Sequence, residues 1–163
     1  MPGAPDFDEW YLGAHERLVA ALVSFSGNVE VAADAADEAC ARALGRWDRV
    51  GTMESVDGWV YRVAINYAKR RLRRAALERR LMARSGSPAV ASLEGPAGEI
   101  WDVVGRLPVR QRTAVVLRYV ADLPEAEIAR VMKVTRGTVA STLADARRRL
   151  DIALSDVEEV VHD

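Results

Sequence analysis

The sequence predicts an all-α protein built as two small helical domains on a flexible linker, and three observations carry that reading. Apolar residues recur at steps of three and four along most of the 163-residue chain, the period of a helix with one buried face. No stretch alternates apolar with polar residues, and no Asn-Gly or Asp-Gly pair sits between two such stretches as a hairpin requires. Residues 85–98 hold three Ser, three Gly and two Pro and show neither period. The chain therefore divides into a first domain over 1–84, a linker over 85–98, a second domain over 99–154 and an acidic tail over 155–163. A linker of that length reaches about 46 Å extended and on the order of 20 Å as a coil, so the domains can bind separate sites on one long target.

In the first domain Trp10, Leu12, Leu18, Ala21, Leu22 and Phe25 predict a helix over 8–25, ended by Gly27-Asn28. A second helix, from about 31 to 47, aligns Ala35, Ala39, Ala43 and Trp47 in one row and carries Asp34, Asp37 and Glu38 toward its start, where carboxylates complement the helix dipole. Residues 48–58, rich in Gly and polar side chains, read as turn. From Trp59 a long helix sets Trp59, Val60, Val63, Ala64 and Tyr67 on one face and then carries Lys69, Arg70, Arg71, Arg73 and Arg74.

In the second domain a helix over 100–107 ends at Pro108, and one over 110–120 holds Val116, Leu117 and Val120 at core spacing. Leu123-Pro124 leads into a short helix over 125–132, Lys133-Val134 turns the chain, and Thr135 caps a last helix in which Val139, Leu143, Ala146 and Leu150 share one face. Short helix, tight turn and longer one-faced helix make a helix-turn-helix. Lys133 holds the turn position that often holds Gly, which costs roughly 1 kcal/mol if left-handed backbone is required there.

Half the residues are hydrophobic, enough for packed cores. The longest apolar stretches fall well short of the roughly 20 residues of a membrane-spanning helix, and the acidic start is unlike a basic export leader. No membrane insertion and a cytoplasmic setting are expected. Cys40 is the only cysteine and His15 and His162 the only histidines, so neither a disulfide framework nor a zinc cluster is expected.

The formal net charge of −1 conceals strong segregation along the chain. Residues 1–38 carry one Arg against eight acids, whereas 59–84 carry nine bases against Glu78 alone. Residues 106–150 carry ten bases against four acids, and 151–163 five acids and no base. Two basic blocks flanked by acidic ones suit a chain with two polyanion-facing surfaces.

The outer face of the last helix presents Arg136, Thr138, Ser141, Thr142, Asp145 and Arg148, to a major groove in one reading and to solvent in the other. On the basic helix Lys69 to Arg74 can hold phosphates while Trp59, Tyr61 and Tyr67 stack on unpaired bases; taken singly, those aromatics read equally well as core. Five bases within 69–74, with no acid between Arg62 and Leu77, repel one another unless a polyanion or an acidic neighbour offsets them. Asp34, Asp37 and Glu38 have no histidine or nucleophile to complete a catalytic site and read as a solvated or protein-docking face. With no Gly-rich phosphate loop or metalloprotease motif, neither enzyme activity nor a cofactor is expected. Cys40, among alanines, reads as a small buried hydrophobe.

The order of these segments resembles the extracytoplasmic-function sigma factors. Asp34-Ala-Ala-Asp37-Glu38 running into Arg42-Ala43-Leu44-Gly-Arg46-Trp47, then Gly58-Trp59-Val-Tyr61-Arg62-Val-Ala-Ile-Asn66 and the basic run, resembles region 2 of that family. Leu107-Pro108-Val-Arg110-Gln111-Arg112, Leu123-Pro-Glu125-Ala-Glu127-Ile128-Ala129 and Gly137-Thr138-Val139 look like region 4. The resemblance implies that Asp34, Asp37 and Glu38 dock on core RNA polymerase. It also implies that the loop over 48–57 handles the melted −10 element of promoter DNA with Trp59, Tyr61, Arg62, Asn66, Lys69, Arg70, Arg73 and Arg74. The last helix would read the −35 element through Arg136, Thr138, Ser141, Thr142, Asp145 and Arg148.

The family commonly has basic residues where this chain has Ala140, Thr142 and Asp145, which shifts phosphate contacts onto Arg136, Arg147, Arg148 and Arg149. An anti-sigma factor is a further implied partner. Two other readings of the same residues are a helix-turn-helix regulator with a sensor or dimerisation module in front, and a protein-interaction module that has lost DNA contact.

Overall fold

The computed structural model describes residues 5–86 and 98–161, so most of the expected linker lies outside the described residues. All regular structure among the described residues is helical, in the order α1 (Phe7–Ser26), α2 (Val29–Leu44), α3 (Trp47–Val50), α4 (Val56–Arg84), α5 (Glu99–Arg106), α6 (Val109–Tyr119), α7 (Glu125–Met132) and α8 (Arg136–Val161).

The first half is a bundle of α1, α2 and α4. α1 buries Ala14, Leu18, Ala21, Leu22 and Phe25 and ends at Gly27, whose φ of 63° lets its N–H reach the Val23 carbonyl at 2.8 Å. Asn28 caps α2 by accepting the Val31 N–H at 2.9 Å. Five fully buried alanines, Ala32, Ala35, Ala36, Ala39 and Ala43, give α2 a flat face on which α1 and α4 both pack closely.

Two boundaries in the first half shift by three residues from expectation. α2 stops at Leu44, short of Trp47, because Gly45 and the non-helical Arg46 (φ −133°, ψ 25°) turn the chain. Trp47 then opens the single turn α3 and packs edge-on against Phe7, 5.2 Å between centroids, with its indole N–H on the Pro5 carbonyl. α4 begins at Val56 rather than Trp59, because the Ser55 hydroxyl accepts the Gly58 N–H at 2.9 Å and so starts the helix one turn early. Gly58 is required there: a Cβ would stand 2.7 Å from that hydroxyl oxygen.

In the second half α6 and α7 pack on α8, which buries Val139, Leu143 and Ala146. Pro124 leads into α7, and Thr135 caps α8 by accepting the Thr138 N–H at 3.1 Å. α8 runs past residue 154 into the acidic tail as far as Val161. The turn does use left-handed backbone at Lys133 (φ 55°, ψ 48°). Lys133→Gly is therefore expected to raise stability by about 0.5–1 kcal/mol, read as a shift in the thermal midpoint; no shift would mean that the lysine's own contacts offset its strain.

The two halves are not held apart. α4 packs against α7, α1 packs against α5 and α6, and one continuous set of buried side chains runs through both halves. No helix among the described residues is long and apolar enough to cross a membrane.

Candidate polymerase and nucleic-acid interfaces

Helical spacing puts Asp34, Asp37 and Glu38 on one flank of α2. The Asp34 carboxylate meets Arg71 of α4 at 3.3 Å and that of Glu38 meets Arg42 at 2.6 Å, whereas Asp37 is exposed with no cation among the described residues within ion-pair distance. Two anions of the patch are thus already answered within the chain. Next to it Cys40 is buried, and burial, reinforced by Asp37, pushes its thiol up to about 11, so it is an inert hydrophobe at neutral pH.

The first turn of α4 and the loop before it enclose a crevice of about 290 Å³ lined by Met53, Glu54, Ser55, Gly58, Trp59, Arg62 and Arg130. It combines an aromatic face, a guanidinium and polar loop atoms, the set that holds an unstacked base beside its phosphate. One turn further, Arg62, Asn66 and Lys69 line a smaller cavity of about 150 Å³ with Thr113 and Lys133 of the second half. Burial, then the charges of Arg73, Arg110 and Arg112, hold the Lys69 ammonium below its ordinary value. On the opposite flank Arg42, Tyr67, Arg70, Arg71 and Arg74 surround a crevice of about 300 Å³. Arg73 is exposed one turn beyond Lys69 on the same flank.

Tyr61 is not placed with the others. It is 3 % exposed and lies on the buried stripe with Val60, Ala64, Ile65 and Ala68, so its ring is core and cannot receive a base in this arrangement. Burial pushes its phenol up to about 12. The buried stripe of α4 is turned from the expected one, which leaves Trp59, Val63 and Tyr67 half-buried at its rim.

On α8, Arg136 and Ser141 are exposed, and Thr138 and Thr142 are half-buried beside them. The Ser141 hydroxyl donates to the Thr138 carbonyl at 3.0 Å. Asp145 is paired with Arg148, and the Arg147 Nε–H donates to the Tyr119 hydroxyl at 2.8 Å. Asp145 therefore faces outward with its charge answered, while Arg148 and Arg147 each already have a partner. Arg130 and Glu127 of α7, which reach the loop before α4, were not singled out from the sequence; no local pattern marks a contact more than seventy residues away.

Residues 11–78 match the Sigma-70 region 2 family and residues 97–150 the Sigma-70, region 4 family. The chain is 31 % identical over 147 residues to the ECF RNA polymerase sigma factor SigM of Mycobacterium tuberculosis, covering 88 % of this chain and 74 % of that one. It is 29 % identical over 149 residues to SigW of Bacillus subtilis, also an ECF sigma factor, covering 80 % and 79 %. The fold is similar to that of the sigma factor RpoE of Bartonella quintana, solved with the anti-sigma factor NepR, at a TM-score of 0.76 and 20 % identity over 92 % of this chain and 97 % of that one. It is also similar to CnrH, solved with the cytosolic domain of CnrY, at a TM-score of 0.69 and 21 % identity over 92 % and 88 %. Helix order, the helix-turn-helix and these matches lead to one assignment: the chain belongs to the extracytoplasmic-function group of the sigma-70 RNA polymerase sigma factors.

Proposed function

We propose that this sigma factor divides its work among three faces, each carried by one helix. As a member of its family it binds core RNA polymerase and directs promoter recognition and transcription initiation, and the polymerase supplies the chemistry. The α2 flank of Asp34, Asp37 and Glu38 docks on the polymerase, with Asp37 as the carboxylate open to a basic partner. The loop before α4 and the crevice behind it take a base from the melted −10 element, stacked on Trp59 and held by Arg62 and Asn66. Lys69, Arg70, Arg73 and Arg74 follow the strand by its phosphates. The start of α8 enters the −35 major groove through Arg136, Thr138, Ser141, Thr142, Asp145 and Arg148, small side chains admitting the helix deeply.

The observation that carries this reading is the crevice of Met53, Ser55, Trp59 and Arg62, which opens at the head of the most basic helix in the chain. A regulator with a sensor module, or an interaction module without DNA contact, is not favoured, because residues 11–78 match sigma region 2 itself. An anti-sigma factor is a fitting further partner, since two folds similar to this one were solved with such partners or a cytosolic partner domain. Working with these partners, it acts in the cytoplasm.

Reconstitution tests the reading. Pure protein added to core polymerase and a pool of promoter fragments is expected to yield transcripts with discrete start sites sharing −10 and −35 elements. Failure to bind core polymerase would sink it.

A further inference from the structure

Where α4 meets the second half, positive charge gathers around a cavity with no carboxylate in its lining. Arg62, Asn66 and Lys69 of α4 and Thr113 and Lys133 of the second half supply the polar part of its wall, about 150 Å³ in volume. Ile65 and Val131, both buried, and Met132 supply the apolar part. Asn66 and Lys133 are exposed, so the cavity opens to solvent on their side, while Thr113 is buried. The charges of Arg73, Arg110 and Arg112 also act on the Lys69 ammonium, which burial already disfavours. Among the described residues none of these six cationic side chains lies within ion-pair distance of a carboxylate. The Arg112 Nε–H is buried and has no acceptor among them either.

Half-buried charge is stable when an opposite charge or acceptors answer it, and here the chain supplies neither. We infer that this cavity is a binding site for a small multivalent oxyanion of the phosphate class, held by Arg62, Lys69 and Lys133. The Asn66 amide is a further donor at the mouth, whereas the Thr113 hydroxyl already donates to the Val109 carbonyl at 2.7 Å. The volume is far above the roughly 10–15 Å³ that admits one water, so a tetrahedral oxyanion fits with water around it. A monovalent ion would leave most of the charge unanswered. A phosphate carries two or more charges and presents acceptors on every side, so it meets a guanidinium and two ammoniums at once. The apolar wall excludes water and strengthens each of those attractions. Since Lys133 belongs to one half and Lys69 to the other, the anion also replaces repulsion across the seam with attraction to both sides. The inference does not rest on the −10 assignment of Arg62, Asn66 and Lys69, and the two can fail separately.

The test uses the full chain, freed of phosphate and sulfate and titrated calorimetrically with pyrophosphate at fixed ionic strength. Saturable one-to-one binding is expected at submillimolar pyrophosphate. Lys69→Met and Lys133→Met, which keep the length of the side chain, should each weaken it by about tenfold, the loss of one charge-assisted hydrogen bond. Arg79→Ala/Arg80→Ala, which removes two exposed cations of the same helix outside the cavity, should leave it unchanged. Thermal unfolding gives an independent sign. Pyrophosphate should raise the wild-type midpoint above that in chloride. Lys69→Met, relieved of repulsion, should melt no lower than wild type in chloride and respond little to pyrophosphate. Absence of binding at millimolar pyrophosphate, binding that both lysine variants leave intact, or binding that the Arg79/Arg80 variant removes would overturn the site. A pool of short single-stranded DNA of randomised sequence separates the two assignments. If the pool binds and pyrophosphate does not, these cations serve a strand alone and the small-anion site fails; if pyrophosphate binds as expected and the pool does not, the site stands and the −10 assignment fails.

Discussion

Phe25→Ala is expected to destabilise the protein by about 3–5 kcal/mol, lowering the thermal midpoint by on the order of 10 °C for a chain of this length. The ring is 1 % exposed and belongs to one buried cluster with Leu18, Leu22 and the alanines of α2, so its removal leaves a cavity in close-packed surroundings. It also lies under the Arg112 guanidinium at 5.2 Å, itself half-buried, so its loss strips the first half of a core side chain and the second half of its support. The variant should therefore loosen the contact between the halves as well as the bundle. Denaturant titration of Phe25→Ala beside Leu12→Ala checks this; Leu12 is 82 % exposed, and its truncation should stay within about 0.5 kcal/mol of wild type. A loss of under 1 kcal/mol for Phe25→Ala would mean that the bundle repacks.

What could be read from the chain in advance follows the range of the interaction that decides it. Helix periods and their stops are local: Gly27 ending α1, Asn28 capping α2 and Thr135 capping α8 are decided within four residues. The left-handed Lys133 was legible for the same reason, since a helix-turn-helix needs a sharp reversal there whatever residue supplies it. Ser55 as the cap of α4 was not, because several polar residues precede Trp59 and only the packed structure decides which turns inward. Tyr61 shows the limit of face assignment. Along a helix with apolar residues on more than half its circumference, the buried stripe is chosen by the neighbours α1 and α2, and it fell one position away from the expected row. The joining of the halves was out of reach for a stronger reason: Ser55 and Glu127 are 72 residues apart, and a linker rich in Ser, Gly and Pro is compatible with separated and docked halves alike.

Trp59→Ala is expected to cut transcription from duplex promoters by about ten- to a hundredfold, the stacking of one base being worth about 1–3 kcal/mol, with polymerase affinity unchanged. Trp59 lines the crevice with Arg62, and its side chain is half-buried, so part of it stays open to the crevice. It stands twelve residues before Arg71, the partner of Asp34, and so about 18 Å along α4 from the proposed polymerase-docking flank. That distance makes the two functions separable in one variant. Trp59→Phe keeps an aromatic face and should recover much of the loss. The competing account, in which Trp59 only packs the bundle, predicts otherwise: Trp59→Ala would then lower thermal stability and polymerase affinity together, and a pre-melted promoter would show no smaller defect than a duplex. Measuring start-site usage on both templates, alongside binding to core polymerase, decides between them. If base capture is the role, the duplex template suffers most, because there the energy of stacking on Trp59 must offset the unpairing of the base it receives.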